Sequence, residues 1–562
     1  MNKQLAILVA FIFSGAAALI YEVVWVRPIQ FVLGSTVYTV SIILAAFMAG
    51  LALGSWIISR WVEKIENLPA AYGVMEIGIG LYGILLLTIF NILPNTYWII
   101  YSLRESFYLF EGIQAVLIFG ILLIPTSLMG ATFPLLAKWY TEKKLGKGIG
   151  ELYSANNIGA IIGSFAAGFI LIPFLGIKGS IIVAAAINIL VGCSILFLFA
   201  KRRAMAIIVI AVLLFAGLAF FTEYNVKEMF SSGFYRADYP EDEIRSVEFL
   251  YYKEGMYATV AVVNSAEGAM ILLLNGKGEG SNLITDLRVN FLLSYLPLLL
   301  KDESDNALVI GLGTGTTSGQ LSQFVNTTTV EIEPAVAETM DYFSFMNAGV
   351  LENPNHHLVI TDGRNYLLQN QQKYDSIVQE LIEPWQSFSS FLYTKEYFES
   401  VKEDLKEDGL FIMWVPIYTM SPEDFRSYYK TFSAVFSYVT VFANIKEDET
   451  PVLFRKPELL FVGSKQKINL DAGKIEERFT ALPENTKYAL QSIGLGSADN
   501  ILHLVLFTEE EMQGYGTDAV LVTDDLPLLE FSTGKQALNQ HPEKVMDDID
   551  KFLEEQNARE NK

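Results

Sequence analysis

The sequence predicts a multi-pass α-helical membrane domain of about seven helices, fused to a small β-domain and then to a doubly wound α/β domain. Three observations carry this reading. Residues 1–220 hold 13 Lys or Arg against 8 Glu and no Asp, a balance of +5, whereas the remainder holds 27 basic and 54 acidic groups, a balance of −27. The first part contains long uninterrupted apolar stretches, and in the second part short apolar runs alternate with helical patterns. The whole-chain charge of −22 therefore averages two unlike parts, and a chain of 562 residues that is 52% hydrophobic is neither one soluble globule nor disordered.

The apolar stretches fall at roughly 4–26, 34–59, 70–92, 113–137, 155–176, 179–200 and 204–221. Most reach the ~20 residues needed to cross ~30 Å of hydrocarbon. The first is too long, and too soon followed by others, for a cleaved signal peptide, so it is expected as a retained helix. Glycines at 50 and 54, and at 159, 163 and 168, point to closely packed helices. Lys3, Arg60, Lys64, Lys138, Lys143, Lys144, Lys147, Lys201, Arg202 and Arg203 lie on one side, against Arg27, Arg104 and Lys178 on the other. The positive-inside rule then puts the N-terminus in the cytoplasm. Seven crossings would leave the soluble half outside, and six would follow if 204–221 is re-entrant or interfacial. Glu22 and Glu76 sit in apolar surroundings, where ionisable groups are costly, and are candidates for function or for bonds between helices.

Beyond residue 222 the pattern changes. Tyr257–Val263 and Met270–Leu274 read as a β-hairpin, and Asn275-Gly276 as a further tight turn. A helix is expected over about 286–300. Strands are expected at Ala307–Ile310, Thr328–Glu331, His357–Thr361, Asp375–Gln379 and Gly409–Val415, with helices near 334–346, 364–370 and 395–407 between them. The expected domains are 1–222 (transmembrane), 223–300 (small β-domain with connecting helix), 301–535 (α/β) and 536–562 (charged tail, an exposed helix or a frayed end).

The chemistry concentrates at the strand ends. Gly311-Leu-Gly313-Thr314-Gly315 follows a buried strand, where glycines let the backbone approach a nucleotide. Glu331 ends the next strand about 20 residues on, where a carboxylate can accept both ribose hydroxyls. Asp362-Gly363 ends the third. Glu380 and Glu383, in Glu380-Leu-Ile-Glu383-Pro384-Trp385, leave the fourth, and a carboxylate there can take a proton from an attacking amine or hold an amine cation. Asp524 and Asp525 could form an acidic lid or cap a turn. Trp385 and Tyr393 could shape a substrate pocket or belong to the core. His356-His357 fits a loop or strand edge better than catalysis, which needs convergent partners. The single Cys193 and four His give no zinc-ligand spacing, so no metal is expected. The acidity argues against nucleic acid as a partner.

These residues, with Val330-Glu331-Ile-Glu333, Leu392–Phe398, Asn275-Gly276-Lys277, Trp414-Val-Pro416, Thr523–Glu530 and the N-terminal Ser14–Trp25, resemble the spermidine synthase (polyamine aminopropyltransferase) family, closest to its membrane-fused branch. The resemblance implies a Rossmann-like domain of the S-adenosylmethionine methyltransferase type. It also implies aminopropyl transfer from decarboxylated S-adenosylmethionine to a polyamine or related amine. In that family the residue matching Glu331 binds the ribose, that matching Asp362 binds the adenine, and that matching Glu380 assists deprotonation of the attacking nitrogen. Thr314 stands where the family has an Asp that grips the donor amine. Glu380 and Glu383 replace two Asp, and the amine site offers Lys277, Glu279, Thr285, Asp286 and Arg288. Without the Asp, intact S-adenosylmethionine is easier to accept, so a methyltransferase is the second reading; a transporter with a nucleotide-binding modifier domain is a third. The expected partners are a small cationic amine and membrane lipid, with a homodimer an allowed assembly.

Overall fold

The computed structural model describes residues 3–141, 145–200, 205–230, 247–380, 382–386, 389–444, 458–538 and 540–560. Lys143, Lys144, Lys201, Arg202 and Arg203 of the charge pattern, and Leu381 of the acidic loop, lie outside the described residues. The chain divides into two compact units, Met1–Tyr239 with Glu254–Met256, and Pro240–Lys253 with Tyr257–Lys562.

The first unit is built from α1 (Lys3–Leu33), α2 (Val37–Trp61), α3 (Leu68–Phe90), α4 (Leu93–Tyr101), α5 (Phe107–Tyr140), α6 (Leu145–Ala166), α7 (Ile172–Ala200) and α8 (Met205–Phe221). Among the described residues, five helical runs are long and apolar enough to cross a membrane: Lys3–Leu33, Val37–Lys64, Leu68–Phe90, Phe107–Tyr140 and Gly146–Ala200. The sequence divides this region differently for two reasons. Gly146–Ala200 runs for 55 residues, about 80 Å at ~1.5 Å per residue, more than twice a hydrocarbon core. It is interrupted at Gly176, whose φ of 70° and ψ of −178° are not helical. Met205–Phe221 is a shorter apolar helix.

Close helix approach accounts for four of the five glycines. A Cβ on Gly50 would lie 1.7 Å from Thr126 Oγ1, and one on Gly54 1.8 Å from the Ser127 carbonyl oxygen, so α2 lies against the backbone of α5. A Cβ on Gly159 would meet the Ile12 carbonyl at 1.8 Å and one on Gly163 the Ala16 carbonyl at 2.2 Å, so α6 does the same against α1. Gly168 faces no atom within 4 Å and takes no part in this packing. Glu76, fully buried on α3, accepts from Ser14 Oγ of α1 and Asn188 Nδ2 of α7, each at 2.6 Å. The costly carboxylate is thereby bonded across three helices. Glu22 is half-buried.

The second unit opens with a four-stranded sheet of β1 (Glu248–Glu254), β2 (Thr259–Asn264), β3 (Met270–Leu274) and β4 (Lys277–Ser281), in that order. The β3–β4 connection is the Asn-Gly turn, with both residues left-handed (φ 50° and 91°), as a two-residue hairpin requires. The second sheet has eight strands: β5 (Asn306–Ile310), β6 (Asn326–Glu331), β7 (His356–Ile360), β8 (Tyr374–Gln379), β9 (Leu405–Val415), β10 (Tyr438–Asn444), β11 (Glu458–Ser464) and β12 (Val505–Thr508). Their order is β12-β10-β11-β9-β8-β5-β6-β7. Strands β7, β6, β5, β8 and β9 are parallel; β11, β10 and β12 add antiparallel pairings at one side. The sheet is thus mixed, not wholly parallel. Strand β5 pairs with both β6 and β8, which makes its carboxyl end the point where the winding reverses and where such sheets bind ligands.

Alternate residues of β5 feed opposite cores. Leu308 and Ile310 pack with Tyr374, Phe411 and Phe461 on one face; Ala307 and Val309 pack with Leu293, Trp414 and Leu460 on the other. A strand buried on both faces is the reason for its continuous apolar run. The helix expected over 334–346 is three short pieces, Pro334–Ala337, Met340–Phe343 and Ser344–Asn347. The helix expected to reach 407 stops at Asp404, and β9 begins at once with Leu405. The segment expected as an exposed helix or frayed end forms the helix Pro542–Glu560, whose Val545 and Ile549 are buried in the first core. Arg426 clamps Asp548 on its polar side.

Candidate functional site

The glycine loop follows β5 directly. Gly311, Gly313 and Gly315 all have positive φ (93°, 53° and 77°), a conformation that L side chains resist. At Gly315 a Cβ would also strike Met340 Sδ at 2.6 Å. Thr314 is buried; its hydroxyl shares a 2.8 Å hydrogen bond with Thr316 Oγ1, and its methyl lies 3.0 Å from where a Cβ on Gly280 of β4 would sit. The small sheet therefore closes onto the glycine loop.

Glu331 ends β6 and is buried. Its Oε2 accepts from the Leu312 amide at 2.9 Å and its Oε1 from the Glu333 amide at 2.8 Å. Burial holds its carboxyl above the ordinary value, and the amides of Glu333 and Leu312 offset only part of the rise. The Ile332 amide adds to the same effect, so the carboxylate is held mainly by backbone donors. The sequence reading of this carboxylate as a ligand contact omits its bond to the glycine loop. Asp362 follows β7 and caps the helix Gly363–Gln369, its Oδ1 accepting from the Asn365 amide at 2.8 Å. A Cβ on Gly363 would lie 2.7 Å from Ile310, so this glycine lets the helix start reach the end of β5.

Glu380 follows β8, its amide bonded to the Ile310 carbonyl at 3.0 Å. Its Cβ lies 3.0 Å from where a Cβ on Gly311 would be, which places this buried side chain against the glycine loop. Glu383 is buried and accepts from Tyr418 Oη at 2.8 Å. Lys277 Nζ stands 2.9 Å from Glu279 Oε2 and 3.7 Å from Glu383 Oε1, and Gln386 Nε2 donates to Glu279 Oε1 at 3.3 Å. Burial raises the Glu279 carboxyl, and Lys277 opposes the rise. Trp385 is buried. Tyr393 is a core residue whose hydroxyl donates to the Ile382 carbonyl, so it supports the loop from beneath.

The carboxylate of Asp524 accepts from both terminal nitrogens of Arg364, Nη1 and Nη2, and, at 2.8 Å, from Thr394 Oγ1. Burial acts to raise its carboxyl, but the bonds from Arg364 and Thr394 prevail and hold it below the ordinary value. Asp525 is exposed. His356 opens the edge strand β7 and bonds Thr329 Oγ1 at 2.9 Å through Nε2.

The structure thus brings Gly311, Gly313, Thr314, Gly315, Glu331, Asp362, Gly363, Glu380 and Glu383 to the carboxyl ends of four adjacent strands. Three sets of contacts escaped the sequence reading. Glu333 caps the helix start at Ala335 and accepts the amides of Tyr257 and Ala258 at 2.8 and 3.0 Å. Tyr418 and Arg364 reach Glu383 and Asp524 from sites with no motif of their own.

A spermine/spermidine synthase domain matches residues 288–446, which spans β5 to β10 and holds Glu331, Asp362, Glu380 and Glu383. Similar proteins include polyamine aminopropyltransferase 2 of Aquifex aeolicus, 22% identical over 507 residues, 88% of this chain and 94% of that protein. The polyamine aminopropyltransferase of Oceanobacillus iheyensis is 23% identical over 85% of this chain and 89% of its own. The chain is a spermidine synthase-like transferase. The Aquifex match is longer than the α/β unit, so this spermidine synthase-like chain shares part of its apolar half with that relative. A crystal structure of spermidine synthase from Thermotoga maritima covers 43% of this chain and 87% of its own, with a TM-score of 0.35 and 20% identity.

Proposed function

We propose that the protein is a membrane-embedded aminopropyltransferase that moves the aminopropyl group of decarboxylated S-adenosylmethionine to a polyamine or related amine. The observation that carries the reading is Glu380 lying against the glycine loop at the winding reversal, with only β5 between its strand and that of Glu331. In this reading the glycine loop, Glu331 and Asp362 hold the nucleoside part of the donor, with Glu331 at the ribose and Asp362 at the adenine. The acceptor nitrogen attacks the aminopropyl carbon bonded to the sulfonium. The C–N bond forms as the C–S bond breaks, the electron pair stays on sulfur, and methylthioadenosine leaves. Glu380 takes the proton released by the nitrogen. Positioning supplies most of the acceleration, because a sulfonium is already a good leaving group. Glu383, Trp385 and Tyr393 line or support the acceptor side, and Asp524 with Asp525 the site's outer edge. Membrane insertion is supported by the five long apolar runs, with the N-terminus cytoplasmic by the positive-inside rule.

The test is direct. The full chain in detergent, given decarboxylated S-adenosylmethionine and an amine, is expected to melt at a higher temperature with the donor and to release methylthioadenosine. No stabilisation by either the decarboxylated or the intact donor would remove the nucleotide site. Preference for the intact donor would favour a methyltransferase, a reading supported by Thr314, whose hydroxyl bonds within the loop where a carboxylate would grip an amine.

A further inference from the structure

We infer that Lys277 is a resident cation filling the anionic subsite beside the transfer centre, so that this chain takes an acceptor amine lacking a second ammonium group. The inference rests on the aminopropyltransferase reading and narrows its acceptor.

Three ionisable side chains from two parts of the fold converge here. Lys277 and Glu279 come from β4, and Glu383 from the loop after β8; their side chains are 12%, 9% and 6% exposed. The Lys277 ammonium lies 2.9 Å from one carboxylate and 3.7 Å from the other. The same Glu383 oxygen also receives the Tyr418 hydroxyl at 2.8 Å, and Glu279 receives the Gln386 amide. A buried carboxylate is retained where it has a cation and hydrogen bonds, and here the chain itself supplies both.

The triad adjoins the reacting groups from both sides. Gly280, next to Glu279, backs onto Thr314 of the glycine loop, and Glu383 stands three residues after Glu380. A diamine would attack through one neutral nitrogen and keep a positive charge on the other. That distal ammonium needs an anion as it leaves water, and Lys277 already neutralises one of the two carboxylate charges at this wall. Two ammoniums sharing the same carboxylates repel at short range in a poorly screened site. An acceptor with an uncharged distal end meets no such conflict.

The experiment uses the full chain in detergent micelles. Affinities for 1,4-diaminobutane and for butylamine are measured by calorimetry for the wild type, Lys277→Gln and Lys277→Arg, and methylthioadenosine release from decarboxylated S-adenosylmethionine is followed separately. The wild type is expected to bind butylamine at least as well as the diamine. Lys277→Gln should raise diamine affinity by about tenfold or more while changing butylamine affinity by less than about threefold, and Lys277→Arg should match the wild type. A wild type that prefers the diamine by about tenfold overturns the inference without any variant, as does an unchanged or weakened diamine affinity in Lys277→Gln. Failure to release methylthioadenosine with either amine would sink the transferase reading, while the affinity ratios would still decide the role of Lys277.

Discussion

Replacing Glu331 by Gln separates what this carboxylate does for the loop from what it does for a ligand. In the fold its two oxygens accept the amides of Leu312 and Glu333. Glutamine keeps one acceptor but turns an NH2 toward the other amide, so one charge-assisted bond is lost and a buried N–H is left without a partner. Bonds to charged groups contribute about 1.5–3 kcal/mol and a buried orphan donor costs about 1–3 kcal/mol. Relief from burying a charge offsets part of this, since burial is the largest influence on the Glu331 carboxyl. The net is expected near 1–3 kcal/mol, which speeds exchange of the Leu312 and Glu333 amides by about 5- to 150-fold. Hydrogen exchange on the full chain in detergent reads this, with β11 amides such as Phe461 as an internal control. Donor affinity is expected to fall further than the loop opening alone accounts for, because the proposed ribose contact goes too. Unchanged protection at both amides would refute the clamp; lost protection with unchanged donor affinity would refute the ribose role.

Glu380→Gln is expected to abolish methylthioadenosine release while leaving donor-induced stabilisation nearly intact; equal turnover would remove Glu380 from the proton-accepting role. Gly159→Ala should lower the melting temperature of the full chain, since its Cβ meets the Ile12 carbonyl, whereas Gly168→Ala should leave it unchanged or slightly higher. His356 is held down to about 4, first by burial and then by the neighbouring His357. Its folded value lies below the unfolded ~6.5, so the fold binds this proton less readily and stability drops as pH falls from about 6.5 to about 4. At about 1.4 kcal/mol per pH unit, and with roughly half discounted because the ring is partly wet, the loss is about 1–2 kcal/mol. Unfolding midpoints at both ends of that range should differ less in His356→Gln than in the wild type; an identical difference would show that this ring does not govern the acid limb.

What the sequence made legible follows from where the determining forces are local. The Asn275-Gly276 turn, the three positive-φ glycines and the strand ends at Glu331, Asp362 and Glu380 are dictated by backbone conformation and short-range pattern, and each is where the residues indicate. The parallel strands were readable because burial on both faces leaves continuous apolar runs. The antiparallel side of the sheet was not, since β12 joins it through a pairing with β10 more than 60 residues earlier in the chain. The same holds for the C-terminal helix, whose acidic composition suggests solvent although Val545 and Ile549 at a four-residue spacing dock it into the core. At the site, motif reading identified the carboxylates but not their company. Glu331, read as a ligand contact, holds the loop beneath it, and Asp524, read as a lid or turn cap, is gripped by Arg364. Lys277 is the sharpest instance: as a sequence position it is a departure from a family pattern, and only its distances to Glu279 and Glu383 turn the departure into chemistry. Under the proposed reading, the large negative charge of this half overstates the anionic field at the site, because at the wall formed by β4 and the acidic loop the chain carries its own counter-ion.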